Sequence, residues 1–275
     1  MRKASSLVAF MAGFFLVSGW VHLASAAEIT RVSPVIDRIL AKKELVVGTA
    51  ADMPPLNMTT KEGQIIGVEA DLAALFASGM SVKLTLKQIS FNDLLPALEA
   101  GQIDMVLSGM TITTPRNLKV AFAGPYFASG KSVLVKETNV DSLDELSKIN
   151  NPEKVLVALK GSTSQVFAER FVPKAKLVLT DNYDQAVAMV RNDKAQAMVA
   201  DFPFCLISAF RYREEKLVTL KKPLSYEPIG IALPANDSLL VNLVQNFLNT
   251  LERSGDLEVI GKRWFTDTSW VDRLR

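Results

Sequence analysis

The chain of 275 residues has one cysteine and one histidine, and that poverty narrows its chemistry. Cys205 has no second cysteine to bond with, so no disulfide forms within the chain. It sits between Phe204 and Leu206, a setting for a small buried hydrophobe; a nucleophile would need a base partner, and no histidine is available. The one histidine, His22, falls in an N-terminal segment expected to be removed. The remaining chain then has none for a catalytic triad, a histidine base or a histidine-ligated metal. Charge of one sign is not in surplus: 31 basic residues stand against 29 acidic ones. With no basic stripe interleaved with aromatics, no nucleic-acid partner is expected. Phosphate motifs are missing too. There is no Gly-x-Gly-x-x-Gly, and Lys160-Gly161-Ser162-Thr163 lacks P-loop spacing, so no cofactor is expected. Beyond the N-terminus, no apolar run approaches the ~20 residues that cross a bilayer.

What is present begins with an export signal. Arg2 and Lys3 form a positive start, Leu7 to Val21 an apolar core, and Ala24-Ser25-Ala26 a small-residue cleavage site. The alternative is an N-terminal membrane anchor, but the short core followed by small residues favours cleavage after residue 26. No cysteine lies near the cut, so a lipid anchor is not expected. The mature protein is expected to be soluble, unanchored and periplasmic. Its loss of Arg2 and Lys3 removes no acid and leaves the charges balanced. About 250 residues then remain, enough for one large domain or two ordinary ones.

Strands and helices alternate along this remainder. Glu44 to Thr49, Val82 to Ile89 and Ile103 to Leu107 read as strands. Val68 to Ala77 reads as a helix stopped by Gly79, and Phe91 to Ala100 as a helix closed by Gly101. A second series follows: strands Val155 to Leu159, Ala175 to Leu179 and Ala197 to Ala200, with helices Gln165 to Phe171 and Asn182 to Arg191. Ile229 to Pro234 is a further strand, and Ser238 to Arg253 a long amphipathic helix stopped at Ser254-Gly255-Asp256. Leu257 to Phe265 is the last helix. Such alternation implies parallel sheets with helices on their faces. The two series look like two similar α/β lobes, although chance recurrence of βα units gives the same pattern.

The strongest functional signal is Ser108-Gly109-Met110-Thr111-Ile112-Thr113-Thr114-Pro115-Arg116. Thr114-Pro115 reads as a helix start, with a capping hydroxyl and a proline at the first helical position. Arg116 then opposes the helix macrodipole at a cost of roughly 0.3–1 kcal/mol. An anion sharing the site would explain that placement, because hydroxyls, free N–H groups and a guanidinium fork make a carboxylate receptor. A surface arginine in a loop is the plainer reading. Gly161-Ser162-Thr163 at a strand-to-helix junction is either a second anion site or a simple helix cap. Asp201 ends a buried strand, where α/β sheets bind ligands, and could receive an ammonium; it could equally cap the next helix. Phe91 is a stacking surface or a core aromatic. Met53, Pro54 and Leu56 could form an apolar pocket wall.

Three segments carry a family resemblance. They are Gly67-Val68-Glu69-Ala70-Asp71-Leu72-Ala73, then Ser108 to Arg116 with Val120 to Tyr126, then Gly255 to Phe265. Taken in order behind an export signal, they resemble the extracellular solute-binding family that serves amino-acid ABC importers, over about Leu45 to Phe265. The resemblance implies a two-lobed α/β periplasmic-binding-protein fold of type II. Lobe one would comprise 28–127 with 227–265, lobe two 128–226, and 266–275 a C-terminal tail. Two hinge crossings would lie near Phe127–Lys131 and Leu224–Pro228. Arg116 would grip a ligand α-carboxylate, completed by Thr111, Gly109 and Ser108. Ser162 and Thr163 would approach from lobe two, and Asp201 would take the α-ammonium. The implied partners are a free amino acid and an inner-membrane ABC permease, with the protein a monomer and not an enzyme.

The departures concern specificity. Binders of basic amino acids usually carry an acid where Ala50 stands here, often followed by an aromatic where Met53 stands. Phe91 keeps the expected aromatic. A neutral ligand is therefore expected. The alternative is an enzyme, because periplasmic cyclohexadienyl dehydratases resemble the same chain and keep the arginine; Ile36 to Leu40 resembles theirs. Their glutamate three residues after the position of Asp201 is Phe204 here, which cannot donate a proton. A role as a partner of a chemoreceptor is a third reading.

Overall fold

The computed structural model describes residues 33–139 and 149–274. The expected export signal and His22 lie outside the described residues.

Helix α1 (Pro34–Lys42) leads into strand β1 (Glu44–Thr49). A small antiparallel sheet follows, made of β2 (Asp52–Met53), β3 (Asn57–Thr59) and β4 (Ile65–Ile66). Helix α2 (Val68–Gly79) buries Val68, Leu72 and Phe76 at helical spacing. Gly79 is its last residue, and Met80 is the C-cap, in right-handed geometry. Strand β5 (Lys83–Gln88) precedes a 3₁₀ turn at Phe91–Asp93, α3 (Leu94–Glu99) and β6 (Met105–Val106). Helix α4 (Thr114–Asn117) is one turn long. Its cap is Thr113, whose Oγ1 accepts from the Arg116 N–H at 3.4 Å, so the cap is one residue earlier than expected and Pro115 sits at the second helical position.

The chain then runs through β7 (Ala121–Ser129) and β8 (Lys131–Lys136). Strand β9 (Val155–Leu159), α5 (Thr163–Phe171), β10 (Lys176–Thr180), α6 (Tyr183–Arg191) and β11 (Ala197–Asp201) form the second alternating series. Helix α7 (Phe202–Arg211), β12 (Leu217–Thr219) and β13 (Glu227–Leu233) follow. Asp237 caps α8 (Ser238–Ser254), which Gly255 ends at φ 84° before α9 (Asp256–Phe265). Gly255 supplies the left-handed backbone that a helix terminus uses.

Two five-stranded sheets share one design, β5-β1-β6-β13-β7 and β10-β9-β11-β8-β12. In each, three parallel strands joined by helices are extended by two antiparallel ones. The sheets are thus mixed rather than parallel as expected. The added strands carry the chain between sheets and need no helical crossover, so nothing forces them parallel. The passages run side by side: β7 reaches β8 through Gly130, and β12 reaches β13 through residues 220–226. Leu224 N–H donates to Lys131 O at 2.7 Å, and Lys131 N–H to Ser225 Oγ at 3.0 Å. A Cβ on Gly130 would meet the Ser225 carbonyl and Pro223, so only glycine lets the passages touch.

The first sheet's core centres on Leu45, Val47, Leu72, Leu94, Val106 and Ile231, all buried. A smaller cluster of Val133, Val135, Leu156, Ala168 and Val199 packs one face of the second sheet. The closing residues, expected as a tail, fold back: Trp270, Val271 and Leu274 are buried, and Leu274 bridges to Thr60. No helix among the described residues is long and apolar enough to cross a membrane.

Candidate functional site

In each sheet the helical connections change direction between the first and third parallel strands, β1 and β6 in one, β9 and β11 in the other. Ligands of α/β proteins lie beyond the strand C-termini at such switch points. Ala50 and Ser108 follow the first pair, and Gly161 and Asp201 mark the second.

The central segment reaches the cleft by hanging on β13. Ile112 N–H donates to Pro228 O at 2.8 Å, Gly230 N–H to Met110 O at 3.0 Å, and Thr111 bridges to Ile229. Gly230 makes the bulge possible, since a Cβ there would sit 2.8 Å from the Ala123 carbonyl and from Ile112. Thr111 therefore faces the second sheet, its Oγ1 3.3 Å from Thr163 Oγ1. Arg116 donates to Thr111 O at 2.9 Å and across the cleft to Gly161 O at 3.1 Å. Its guanidinium lies 5.5 Å from the Phe91 ring centroid. Burial lowers the Arg116 pKa, while the Asp201 and Glu227 carboxylates oppose that fall. A guanidinium stays charged at neutral pH regardless.

Opposite Arg116 is the start of α5. Ser162 is its cap, accepting Gln165 N–H at 3.2 Å and donating its hydroxyl to Leu159 O at 2.6 Å. The Ser162 N–H, expected to face a ligand, donates to Leu159 O at 3.3 Å. Thr163 and Ser164 follow as the first helical residues, and Ser164 Oγ is buried without a partner. Gly161 holds φ 73°, and a Cβ there would sit 2.5 Å from Asn92 Oδ1 of the facing half.

Not every expected site residue faces the cleft. Gly109 N–H is spent on Glu69 Oε1 at 2.7 Å. Glu69 is fully buried on α2 and also binds Asn57 Nδ2 and the Tyr126 hydroxyl, which hold its carboxylate against a burial that raises its pKa. Gly109 also makes room for Met53, whose sulfur a Cβ would strike. Met53 is buried beneath the loop. Ser108 Oγ accepts Ala50 N–H at 2.9 Å and ties two loops together. Phe91 is buried under Arg116.

Asp201 is buried and already partnered. It sits at the N-cap position of α7, yet its side chain makes no capping bond. Instead Ser129 Oγ donates to Oδ1 at 3.1 Å, Lys131 Nζ to Oδ2 at 3.0 Å, and the Tyr183 hydroxyl reaches Oδ2 at 3.5 Å. Lys131 is fully buried, with Glu227 Oε2 3.7 Å from its Nζ. Burial, with Asp201 next in weight, pushes the Tyr183 phenol well up, so it stays a proton donor. Its ring stacks on Phe204 at 4.3 Å between centroids.

Sequence reasoning missed Lys131, Tyr183, Glu227 and Asp52. Lysine in a valine-rich strand was the available signal for the first. Asp52, on β2, accepts the Tyr183 N–H on Oδ2 at 2.9 Å across the cleft, while Oδ1 is buried without a partner. Burial raises its pKa to about 6. A cavity of about 380 Å³ opens beside it, lined by Ala50, Asp52, Gln88 and Phe91 on one side and Asp181 and Asn182 on the other. Cys205 is buried and its thiol pushed up by that burial, consistent with an inert hydrophobe. Among the described residues no group of three or more His, Cys, Asp or Glu side chains could hold a metal.

Three proteins similar to this chain are amino-acid-binding or ABC-transporter binding proteins. The ABC transporter glutamine-binding protein GlnH of Bacillus subtilis is 30% identical over 209 residues, 74% of each chain. A binding component of an ABC transporter from Wolinella succinogenes, solved in complex with lysine, is 35% identical with a TM-score of 0.80, over 84% of this chain and 99% of that one. The ancestral amino-acid-binding protein AncCDT-1, described as a precursor of cyclohexadienyl dehydratase, is 34% identical with a TM-score of 0.77, over 85% of this chain and all of that one. The family model described as bacterial extracellular solute-binding proteins, family 3, matches residues 45–267, and the chain belongs to that family.

Proposed function

We propose that this protein binds a free L-amino acid with an uncharged side chain in the periplasm and delivers it to an inner-membrane ABC permease. The observation that carries the reading is the convergence of Arg116, Thr111 and the start of α5 on one point between the sheets, with buried Asp201 nearby. Arg116 and the free N–H groups of α5 suit a carboxylate. Asp201 suits an ammonium, because a carboxylate has about four acceptor positions and three are taken here. The adjoining cavity is at the lower end of the roughly 300–1,000 Å³ of small-ligand sites. Ala50 offers no charge to a basic side chain, which supports a neutral ligand.

We take lobe one as 28–127 with 227–265 and lobe two as 128–226, closing as a monomer about the paired passages. A ligand that touches both lobes stabilises the closed state by its differential affinity. Phe204 stacked on Tyr183 supplies no proton donor at the position where the dehydratases carry glutamate, which supports binding without chemistry.

The test is a thermal-shift panel of free amino acids on protein stripped of carried-over ligand, repeated with Arg116→Ala. Neutral amino acids are expected to raise Tm in the wild type and to lose that effect in the variant, because a bound carboxylate would lose its charged partner. Shifts confined to lysine, arginine and histidine would overturn the neutral ligand. Undiminished shifts in the variant would overturn the site.

A further inference from the structure

Lys131 is the unexpected charge in this site. Its side chain is wholly buried, it belongs to the first passage between the sheets, and its Nζ lies 3.0 Å from the Asp201 oxygen that also faces Tyr183. A buried carboxylate without a partner is heavily penalised. If Asp201 were bare, a closed cleft would need an ammonium from the ligand. Here the protein supplies that cation itself.

From this internal pair we infer that the cleft also accepts 2-oxo and 2-hydroxy carboxylic acids, ligands that have the carboxylate of an amino acid but no α-ammonium. The inference rests on the carboxylate site proposed above. Around the carboxylate site Arg116 and Lys131 balance Asp201 and Glu227, and Asp52 stands apart beside the adjoining cavity. An acid without an ammonium places its carboxylate on Arg116 and leaves Asp201 paired. Its 2-oxygen faces a carboxylate that Lys131 neutralises, not a bare one. An ammonium has three N–H groups, and of the Lys131 ones a single one is bound to Asp201.

An amino acid is admitted by a different arrangement of the same groups. Its ammonium takes Asp201, and Lys131 turns toward Glu227. Glu227 Oε2 is buried, has no hydrogen-bond partner, and lies 3.7 Å from Nζ, so it is the acceptor to which Lys131 can move. Glu227 is held for that purpose by Ser225 Oγ, 3.2 Å from Oε1, which also accepts the Lys131 N–H. Lys131 is thus a specificity residue that narrows the gap between the two ligand classes.

The experiment is calorimetric titration of the mature protein, stripped of carried-over ligand, with matched sets. Leucine, methionine, phenylalanine and glutamine are each compared with their 2-oxo and 2-hydroxy counterparts. The expected result is that, for an amino acid that binds, at least one counterpart binds within about thirtyfold of it, roughly 2 kcal/mol at 1.4 per decade. Lys131→Gln is expected to widen that ratio at least about tenfold, since Asp201 then needs the ligand's ammonium. Counterparts weaker than about thirtyfold in every set that binds overturn the inference and leave amino-acid binding standing. An unchanged ratio in a folded Lys131→Gln variant overturns the role of Lys131. Binding by no member of any set overturns the neutral ligand, and the inference with it. Should the variant not fold, the wild-type ratios decide alone.

Discussion

Asp52→Asn tests how the two halves of the cleft are held. Asp52 Oδ2 accepts the Tyr183 N–H at 2.9 Å, while Oδ1 is buried without a partner and Asp184 adds like charge nearby. Its pKa rises from 3.8 to about 6, with desolvation the largest cause. The closed, folded form therefore holds the proton more tightly than the unfolded chain. Its contribution to stability is full below about pH 3.8 and is lost as pH rises through about 6. A shift of about two units corresponds to about 3 kcal/mol, and water reaching the half-buried side chain reduces this to about 1–2 kcal/mol. Asparagine keeps an acceptor for Tyr183 N–H and removes the charge. At pH 7.5 the variant is expected to melt about 2–8 °C above wild type, at roughly 2–4 °C per kcal/mol for a chain of this size. At pH 4.5 the difference should shrink to about a third. Differential scanning calorimetry of both proteins from pH 4.5 to 7.5 makes the comparison. A variant that melts lower at pH 7.5, or a difference that does not change with pH, would refute the reasoning.

Two further perturbations address the frame around the cleft. Asp237 is fully buried and accepts from Ser33 Oγ, Val35 N–H and Leu240 N–H, so it caps α1 and α8 together; Asp237→Ala is expected to cost about 3 kcal/mol in urea unfolding. A loss under about 1 kcal/mol would mean that water replaces it. Gly161→Ala places a Cβ at φ 73° and 2.5 Å from Asn92 Oδ1, a contact between the facing halves. The clash with Asn92, about 1–2 kcal/mol of overpacking on closure, should weaken ligand affinity about 5- to 30-fold by calorimetry, and Asn92→Ala in the same chain should restore part of it. Unchanged affinity in Gly161→Ala would show that these halves close without that contact.

Much of the frame was legible because its signals are local. Glu44 to Thr49 and Val155 to Leu159 are apolar runs that match β1 and β9 residue for residue, and Ser238 with its apolar stripe marks α8. Asn182 and Ser162 announce helix starts by a capping hydroxyl or amide, a mechanism confined to four residues. The antiparallel additions were not legible. Strands β7 and β13 pair across a gap of nearly a hundred residues, and no local pattern specifies a partner that distant.

The candidate site divides the same way. Arg116, Thr111 and Thr163 announced themselves by residue type and by position at strand ends, and the fold brings them together. Gly109 and Ser108 carried the same signal, but the fold spends them on Glu69 and Ala50. A hydrogen-bond donor in a sequence does not say who accepts from it.

The sequence by itself determined the alternating elements, the turn and cap chemistry, and the absence of disulfide chemistry, since each depends on residues near one another or on composition. Only the tertiary structure decided that Lys131 neutralises Asp201 and that Asp52 caps a helix of the facing half. Both are through-space electrostatic matters. Burial sets their strength, and burial is a property of the packed chain, not of any segment of it.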